Sequence, residues 1–192
     1  AEVAAASDYI LLAVKPQVMR QVLKELAPSL KPGTCIISIA AGITIKQLSK
    51  WSGEDTPVVR IMPNTPAMVG KGVYAICYDH ELVTEEHKDT ITAAFASIGQ
   101  AHILAEKLFD AYTGLIGSGP AYVFAFMEAL IDAGLTMGLT RAQATAMVKG
   151  LVAGSALMAE DDSAHPTLLK EMVTSPGGTT IVGLNAMDEH RF

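Results

Sequence analysis

The sequence predicts two domains of different classes: an α/β domain built on a mostly parallel sheet, followed by an all-helical domain. In the first half, short apolar runs of strand length alternate with amphipathic helical patterns. This alternation is typical of a parallel sheet that is covered by helices. After Glu106 the strand pattern stops and only helical periodicity continues. We therefore predict domains at residues 1-105 and 106-192.

The predicted strands of the first domain are short and apolar. They cover residues 9–14, 35–39, 58–62, 73–78 and, as an edge strand, 100–104. A continuous apolar run is typical of a strand that is buried on both faces, and this is expected of residues 9–14. A helix is predicted from Pro16, with Val18, Val22, Leu23 and Leu26 on its buried face. Further helices are predicted at residues 45–51 and from Thr84 to Ile98.

The second domain is predicted to contain helices only. They cover residues 107–116, 120–137, 141–159, 167–173 and 179–189. The two longest are apolar on nearly every side, and such a helix must be buried all round. The domain is too small to surround both, so we expect a second subunit to complete their burial. The alternative is a compact bundle in which the glycines merely weaken the helices.

Composition limits the classes of partner. The chain has a net charge of −6 and only 18% charged residues, without Lys/Arg blocks, which argues against nucleic acid and anionic membranes. The most hydrophobic window, residues 115–139, carries Glu128 and Asp132 and predicts a buried helix, not a membrane span. Cys35 and Cys77 lack metal-ligand spacing and indicate buried free thiols in a reducing cytoplasm. The histidine spacing predicts no metal site either.

Three turns follow predicted parallel strands and are candidates to bind one cofactor. They contain Val14-Lys15-Pro16, then Ala40-Ala41, then Asn64-Thr65-Pro66. Ligands of open α/β sheets bind at the carboxyl ends of the strands, and Asn64 is suited to hydrogen-bond a ligand amide. The alternatives are plain connections and, for Asn64, an Asn-stabilised turn.

The loop before the last predicted helix is a candidate anion site. It reads Ser175-Pro-Gly-Gly-Thr-Thr180, with Pro176-Gly177-Gly178 as the turn. The backbone N–H groups of Gly177, Gly178 and Thr179, with Ser175 Oγ, would cradle a carboxylate at the helix N-terminus. The alternative is an ordinary loop in which Thr179 is the N-cap.

Five motifs occur in order along essentially the whole chain. They are Ala13-Val-Lys-Pro16, Ser38-Ile-Ala-Ala-Gly-Ile-Thr44, Arg60-Ile-Met-Pro-Asn-Thr-Pro66, Thr113-Gly-Leu-Ile-Gly-Ser-Gly-Pro-Ala-Tyr122 and His165-Pro…Ser175-Pro-Gly-Gly-Thr-Thr180. Together they closely resemble pyrroline-5-carboxylate reductases. The resemblance implies a Rossmann domain and a helical dimerisation domain, in a homodimer that often assembles further into a decamer. It implies reduction of L-1-pyrroline-5-carboxylate to L-proline with NADPH or NADH, the last step of proline biosynthesis.

The resemblance also assigns roles to residues. Thr180 is the family position whose hydroxyl meets the ring nitrogen, and Ser175, Gly177, Gly178 and Thr179 would bind the substrate with it. Val14, Lys15, Pro16, Ala40, Ala41, Asn64 and Pro66 would bind the cofactor. The carboxylate loop is expected to face the cofactor of the partner subunit, so that the site lies between domains.

One departure from the family pattern lies at the front of the sequence. Family members begin with a strand, a glycine-rich loop and a helix, roughly fifty to sixty residues that form the first nucleotide-binding half. No part of this sequence corresponds to them, so we expect a fragment that is inactive alone, and both NADPH and NADH stay open. Two other readings are a catalytically inactive dimerising fragment and a related hydroxyacid dehydrogenase. The latter needs a lysine near Ser118 to Glu128, where this sequence has none.

Overall fold

The chain forms two compact units, residues 1–123 and 124–192. The structure is a computed structural model that describes residues 2–161 and 165–192. The first unit is built on a five-stranded sheet. In sheet order the strands are β1 (Tyr9–Leu12), β2 (Cys35–Ser38), β3 (Val58–Met62), β4 (Gly72–Cys77) and β5 (Gly99–Ile103).

The sheet is mixed, with one reversal of direction. Strands β1, β2 and β3 are parallel, β4 runs antiparallel to β3, and β5 is parallel to β4. The reversal follows from the length of the connection, because residues 63–71 join β3 to β4 and a parallel crossover needs about a dozen residues or more. In the resulting register Arg60 lies between Ser38 on β2 and Cys77 on β4.

Strand β1 lies at the edge of the sheet, and the expectation that it is buried on both faces is wrong. Leu12 is buried, but Leu11 is 52% exposed and Tyr9 and Ile10 are half-buried. Full burial needs cover on both faces, and an apolar run alone does not reveal whether that cover exists. The expectation holds for β2, whose four residues are all buried.

The described residues of the first unit contain five complete α-helices and the start of a sixth. The complete ones are α1 (Glu2–Ala6), α2 (Pro16–Leu26), α3 (Ile45–Ser52), α4 (Glu85–Ala96) and α5 (Phe109–Tyr112). Pro16 opens α2 as predicted. The buried residues of α2 are Met19 and Leu23, whereas Val18, predicted on that face, is 44% exposed. Thr44 and Thr84 cap α3 and α4 in reciprocal capping boxes, which satisfy amides at the helix starts.

The two faces of the sheet carry separate hydrophobic cores. One core contains Leu12, Met19, Leu23, Ile36, Leu48, Val58, Ala75, Phe109 and Tyr112 among others. The other contains Cys35, Ile37, Val59, Ile61, Tyr74, Ile76 and Ile91. Successive residues of β2 and β3 alternate between the two cores, as the pleat of a strand requires. Both faces in the middle of the sheet are therefore covered by side chains.

Residues after β5 pack against this sheet before the helical region begins. The chain passes through a 3₁₀ turn (Glu106–Leu108), α5 and a π-helical turn (Thr113–Gly117), and α6 (Gly119–Thr136) starts after one bend residue, Ser118. The helix break predicted here is therefore a single residue. Phe109 and Tyr112 are buried in the core of the sheet. The domain boundary near residue 105 stays a prediction.

The second unit contains the end of α6 with α7 (Arg141–Met158), α8 (Pro166–Met172) and α9 (Thr179–Glu189). These bounds match the predicted helices to within two residues at each end. Helices α6 and α7 approach closely at Gly134, where an added Cβ would lie 3.1 Å from Ala144 Cβ. This contact explains why a residue without a side chain stands there.

Most of α6 and α7 is exposed within the chain. The buried residues are Gly134 in α6 and Ala144 and Val148 in α7. The exposed large apolar side chains include Tyr122, Val123, Phe124, Met147, Leu151, Leu157 and Met158. Among the described residues, the stretch Glu106–Thr136 is also long and apolar enough to cross a membrane by length and composition alone. A single chain therefore does not provide the burial that the sequence predicts for these helices.

Candidate active site

Three turns of the first unit lie together at the carboxyl-terminal end of strands β1, β2 and β3. This end of the sheet is called the cofactor edge below. Strands β1, β2 and β3 are adjacent and parallel, so their carboxyl ends lie on the same side. The turns that follow them carry all seven residues predicted to bind the cofactor, at positions 14–16, 40–41, 64 and 66. The structure thus brings these seven residues to a single edge, where ligands of open α/β sheets bind.

The turn after β1 is suited to an anionic group. Lys15 is exposed and is the N-cap of α2, where its side chain makes no capping hydrogen bond. The first turn of α2 carries no acidic residue. The positive end of the helix dipole therefore adds to the charge of Lys15, and both favour a phosphate. Val14 and Pro16 are half-buried and hold the turn against the core.

The turn after β2 offers mainly its backbone. Ala40 is 5% exposed, and its amide donates to Ser38 Oγ over 3.3 Å. Ala41 is exposed. A ligand at this edge would therefore meet the backbone of Ala40 and the methyl group of Ala41. The small side chains leave room for a planar ring to approach the sheet.

Asn64 in the third turn is already bonded to backbone groups. Its Oδ1 accepts from Val73 N over 3.0 Å, and its Nδ2 donates to Ile116 O over 3.4 Å. In a regular helix the Ile116 carbonyl would bond to residue 120, but Pro120 has no N–H. Asn64 thus satisfies a carbonyl that Pro120 leaves without its helical donor. The Asn64 side chain makes no capping bond within its own turn, so the Asn-stabilised turn is not what the structure shows, and one Nδ2 hydrogen remains for a ligand.

The sequence contains the signal for this bond, although the prediction missed it. Pro120 stands four residues after Ile116, and a proline inside a helical pattern always removes a donor from the residue four positions before it. Asn64 was not identified from the sequence as the donor that replaces it. Pro66, in the same turn, is half-buried, and its carbonyl accepts from Lys71 N over 3.1 Å.

Burial raises the pKa of one tyrosine near this edge and of two cysteines elsewhere in the sheet. The Tyr112 hydroxyl donates to Val73 O over 2.7 Å, and burial raises the pKa of Tyr112 to about 12. Burial likewise raises the pKa of Cys35 and Cys77 to about 12. Both are free buried cysteines, as predicted, and neutral thiols are poor nucleophiles and ligands. Among the described residues, no group of three or more His, Cys, Asp or Glu side chains could hold a metal ion.

The prediction also missed an ion pair beneath the edge. Arg60 Nη1 donates to Glu106 Oε1 over 3.1 Å, and the same oxygen accepts from Ile45 N over 2.7 Å. An arginine inside an otherwise apolar strand was the available signal, because a buried charge requires a partner.

The candidate carboxylate loop lies at the start of α9 in the second unit. Gly178 is the N-cap, with φ −77° and ψ 170°, so Thr179 and Thr180 are the first two helical residues. The alternative with Thr179 as N-cap is therefore not what the structure shows. Gly178 N donates to Ser175 O over 3.1 Å, which closes a turn with Gly177 at φ +67°. A positive φ at this position is favourable only for glycine.

This turn changes which amides are available to a ligand. The amide of Gly178, predicted to face the carboxylate, is engaged with Ser175. The structure shows no acceptor among the described residues for the amides of Gly177 and Thr179. Ser175 Oγ lies directly beside Gly178, where an added Cβ would collide with it. Thr180 is half-buried, while Ser175 and Thr179 are exposed. A hydroxyl and two free amides thus stand at the positive end of α9.

Comparison with known proteins identifies the family of the chain. The family model described as pyrroline-5-carboxylate reductase dimerisation matches residues 106–192. The Pyrroline-5-carboxylate reductase of Escherichia coli (strain K12) is 42% identical over 191 residues, covering 100% of this chain and 71% of that protein. The chain belongs to the pyrroline-5-carboxylate reductase family. The resemblance predicted from the five motifs is confirmed.

Other members of the pyrroline-5-carboxylate reductase family agree. The Arabidopsis thaliana enzyme is 41% identical and is covered over 68% of its length. The Plasmodium falciparum structure with NADP bound is 37% identical, with a TM-score of 0.89 over 100% of this chain and 72% of that one. The Coxiella burnetii structure is 33% identical, with a TM-score of 0.92 over 99% and 71%. The predicted Rossmann-type sheet followed by a helical dimerisation domain is confirmed.

A second family model matches part of the first unit. The model described as NADP oxidoreductase, coenzyme F420-dependent, matches residues 1–42. This range includes β1, β2 and the turns that carry Lys15 and Ala41. It thus covers two of the three turns at the sheet edge.

Proposed function

We propose that this chain carries the substrate-binding and catalytic residues of an enzyme that reduces L-1-pyrroline-5-carboxylate to L-proline with hydride from NADPH or NADH, the last step of proline biosynthesis. The observation that carries this proposal is the identity of about four residues in ten with pyrroline-5-carboxylate reductases along the whole chain. The two candidate site regions supply the groups that this chemistry needs. One edge of a parallel sheet fits a nicotinamide nucleotide, and one helix start fits a carboxylate.

The loop before α9 would hold the substrate by its carboxylate. The free amides of Gly177 and Thr179 and the hydroxyl of Ser175 are suitable donors, and the dipole of α9 favours an anion at this end. The turn bond between Gly178 and Ser175 fixes the loop before the substrate arrives. The role of Gly178 is therefore to shape the loop and to give Ser175 Oγ its place.

Thr180 would act on the imine nitrogen. It is the second residue of α9 and is half-buried, so its hydroxyl lies next to the proposed carboxylate site. Donation from this hydroxyl stabilises the nitrogen as it gains electron density during hydride addition. Such a proton donor typically contributes about 10²-fold or more to the rate. Correct placement of the ring by the loop contributes the larger share.

The edge of the sheet would hold the cofactor. The nicotinamide, when bound, supplies the hydride. The exposed Lys15 and the start of α2 suit a phosphate, Ala41 and the backbone of Ala40 leave room for the ring, and Asn64 retains one N–H for a ligand amide. Pro66 stiffens the turn that carries Asn64.

We infer that the functional assembly is a homodimer in which residues 106–192 form the dimerisation and substrate-binding domain, with further assembly into a decamer. The description of the matching family model and the exposed apolar faces of α6 and α7 support the dimer. The two buried free cysteines support a reducing cytoplasm. The acidic composition argues against a nucleic-acid or membrane partner.

Substitution of Thr180 tests the proposal. In the complete gene product, we expect Thr180→Ala to lower kcat for proline formation by about 10-fold or more, because the donor to the nitrogen is lost. NADPH binding, measured by fluorescence titration, should be retained. Thr180→Ser keeps the hydroxyl and is the matched control, with kcat close to that of the wild type. An unchanged kcat in Thr180→Ala would remove Thr180 from the mechanism.

A further inference from the structure

Glu106 connects α3, β3 and the segment that follows β4. Its Oε1 accepts from Ile45 N over 2.7 Å and from Arg60 Nη1 over 3.1 Å. Its own amide donates to Asp79 Oδ2 over 2.8 Å. Ile45 is the first residue of α3, and Arg60 is in the middle of β3. A single carboxylate oxygen therefore links the start of a helix to a central strand.

The charge of Arg60 makes this link strong. Arg60 is 5% exposed, and its guanidinium carbon lies 4.5 Å from the centre of the Phe109 ring. Among the described residues, Glu106 is the carboxylate that pairs with it. A buried cation that loses its partner is strongly destabilised, so Arg60 holds the Glu106 side chain in one position.

The turn after β2 is held at both ends. At its start, Ser38 Oγ accepts from Ala40 N over 3.3 Å. At its end, Glu106 accepts from Ile45 N, while the capping box of Thr44 and Gln47 uses the neighbouring amides. Ser38 and Arg60 are register neighbours in the sheet. Residues 39–44 are thus fixed against β3 by Ser38 on one side and by Glu106 on the other.

We propose that Glu106 is a positioning residue for cofactor binding. Glu106 bonds to Ile45, at the end of the turn that carries Ala40 and Ala41, and to Arg60 on β3, which leads into the turn that carries Asn64. We infer that these two bonds fix the positions of the two turns relative to each other. Glu106 Oε1 is engaged by two protein donors, and the role proposed here is positioning and not proton transfer. This inference rests on the proposed function, because that function places the nicotinamide at this edge.

Three variants of the complete gene product test the proposal. Glu106→Ala removes both bonds, and we expect the Kd for NADPH, measured by fluorescence titration, to rise about 10-fold. The KM for pyrroline-5-carboxylate should change less than about 3-fold, which is the size of effect expected of a substitution that does not touch the substrate. Glu106→Gln keeps an acceptor of the same length for Ile45 N but loses the charge that pairs with Arg60, so its NADPH Kd should lie between those of the wild type and Glu106→Ala. Glu106→Asp is one methylene too short to reach Ile45 N while it pairs with Arg60, and should behave like Glu106→Ala.

Two further measurements separate positioning from general destabilisation. Hydrogen exchange of the amides of residues 40–45 should accelerate in Glu106→Ala without cofactor, while exchange in β2 stays slow. Glu85→Ala removes an exposed ion pair with Lys88 and is the matched control, for which no change in NADPH Kd is expected.

The outcomes are distinct. A wild-type NADPH Kd in Glu106→Ala overturns the inference, and so does an equal rise of NADPH Kd and substrate KM. If Glu106→Ala does not fold, Glu106→Asp decides in the same way. If the wild-type protein forms no proline from pyrroline-5-carboxylate, the proposed function fails, but the NADPH titrations still decide the role of Glu106.

Discussion

Ser175 and Gly178 occupy a space that has no room for another β-carbon. A Cβ on Gly178 would collide with Ser175 Oγ and lie 3.2 Å from Ser175 O. The backbone of Gly178 itself, at φ −77°, is acceptable for any residue. A residue without a side chain at position 178 is therefore needed to keep the Ser175 hydroxyl in its present position, and backbone strain is not the reason.

We predict that Gly178→Ala in the complete gene product raises the KM for pyrroline-5-carboxylate about 10-fold, equal to about 1.4 kcal/mol of binding energy. The added methyl forces Ser175 Oγ to rotate away from the helix start, so the carboxylate loses a donor. The melting temperature should change little, because the hydroxyl is exposed and rotates freely. Steady-state kinetics and thermal unfolding measure the two effects.

Gly183 provides the control within the same helix. It lies inside α9, and an added Cβ there meets nothing within 4 Å. Gly183→Ala should leave KM unchanged and stabilise the helix by about 0.5–1 kcal/mol. A KM that stays at the wild-type value in Gly178→Ala would show that Ser175 Oγ does not contact the substrate.

At the scale of elements, the helical segment after β5 and the turn after β3 depend on each other. Ile116 lies in the π-helical turn Thr113–Gly117, and Pro120 cannot donate to its carbonyl. Asn64 Nδ2 donates to this carbonyl instead. Asn64 Oδ1 accepts a hydrogen bond from Val73 N, near the start of β4. One side chain therefore joins three elements around the proposed nicotinamide position.

We predict that Asn64→Asp lowers the free energy of unfolding by about 2 kcal/mol, because a carboxylate oxygen would then face the Ile116 carbonyl with no hydrogen between them. The bond to Val73 N would be kept. Urea unfolding measures the loss. In the Pro120→Ala background residue 120 can donate to Ile116, so the same substitution at Asn64 should cost less. Equal losses in both backgrounds would show that the two positions are independent.

The strands and helices were predictable from sequence because their signals are local. Apolar runs, Pro16 and the caps Thr44 and Thr84 act within a few residues, and most bounds agree with the structure. The partners of Asn64 and Glu106 were not predictable, since they lie up to 52 and 61 residues away. The exposed position of β1 was missed for the same reason, because cover of a strand comes from segments distant in sequence. The loop before α9 was found, but its internal turn bond was not.

At the scale of the whole molecule, the apolar surfaces of α6 and α7 dominate. Met147 and Leu151 are 59% and 57% exposed, one helical turn apart on α7. Isolated exposed apolar residues are ordinary, but a continuous row of them marks an interface. The proposed dimer would bury this row.

We predict that Leu151→Glu shifts the complete gene product from a dimer or larger assembly toward monomer, because a carboxylate in a dry interface lacks a partner. Sedimentation velocity at micromolar concentration measures the shift. Gln17→Glu, at an exposed position on α2, adds the same charge away from the row and should leave the assembly intact. An unchanged assembly in Leu151→Glu would place the interface elsewhere.

The close approach of α6 and α7 at Gly134 has a further consequence for the cell. Among the described residues of α6 and α7, the buried ones are Gly134, Ala144 and Val148, so we expect a newly made chain to gain little stability before it forms the proposed dimer. The amount of intact protein should then rise more steeply than the rate of its synthesis, and a cell that makes half as many chains would keep less than half of them.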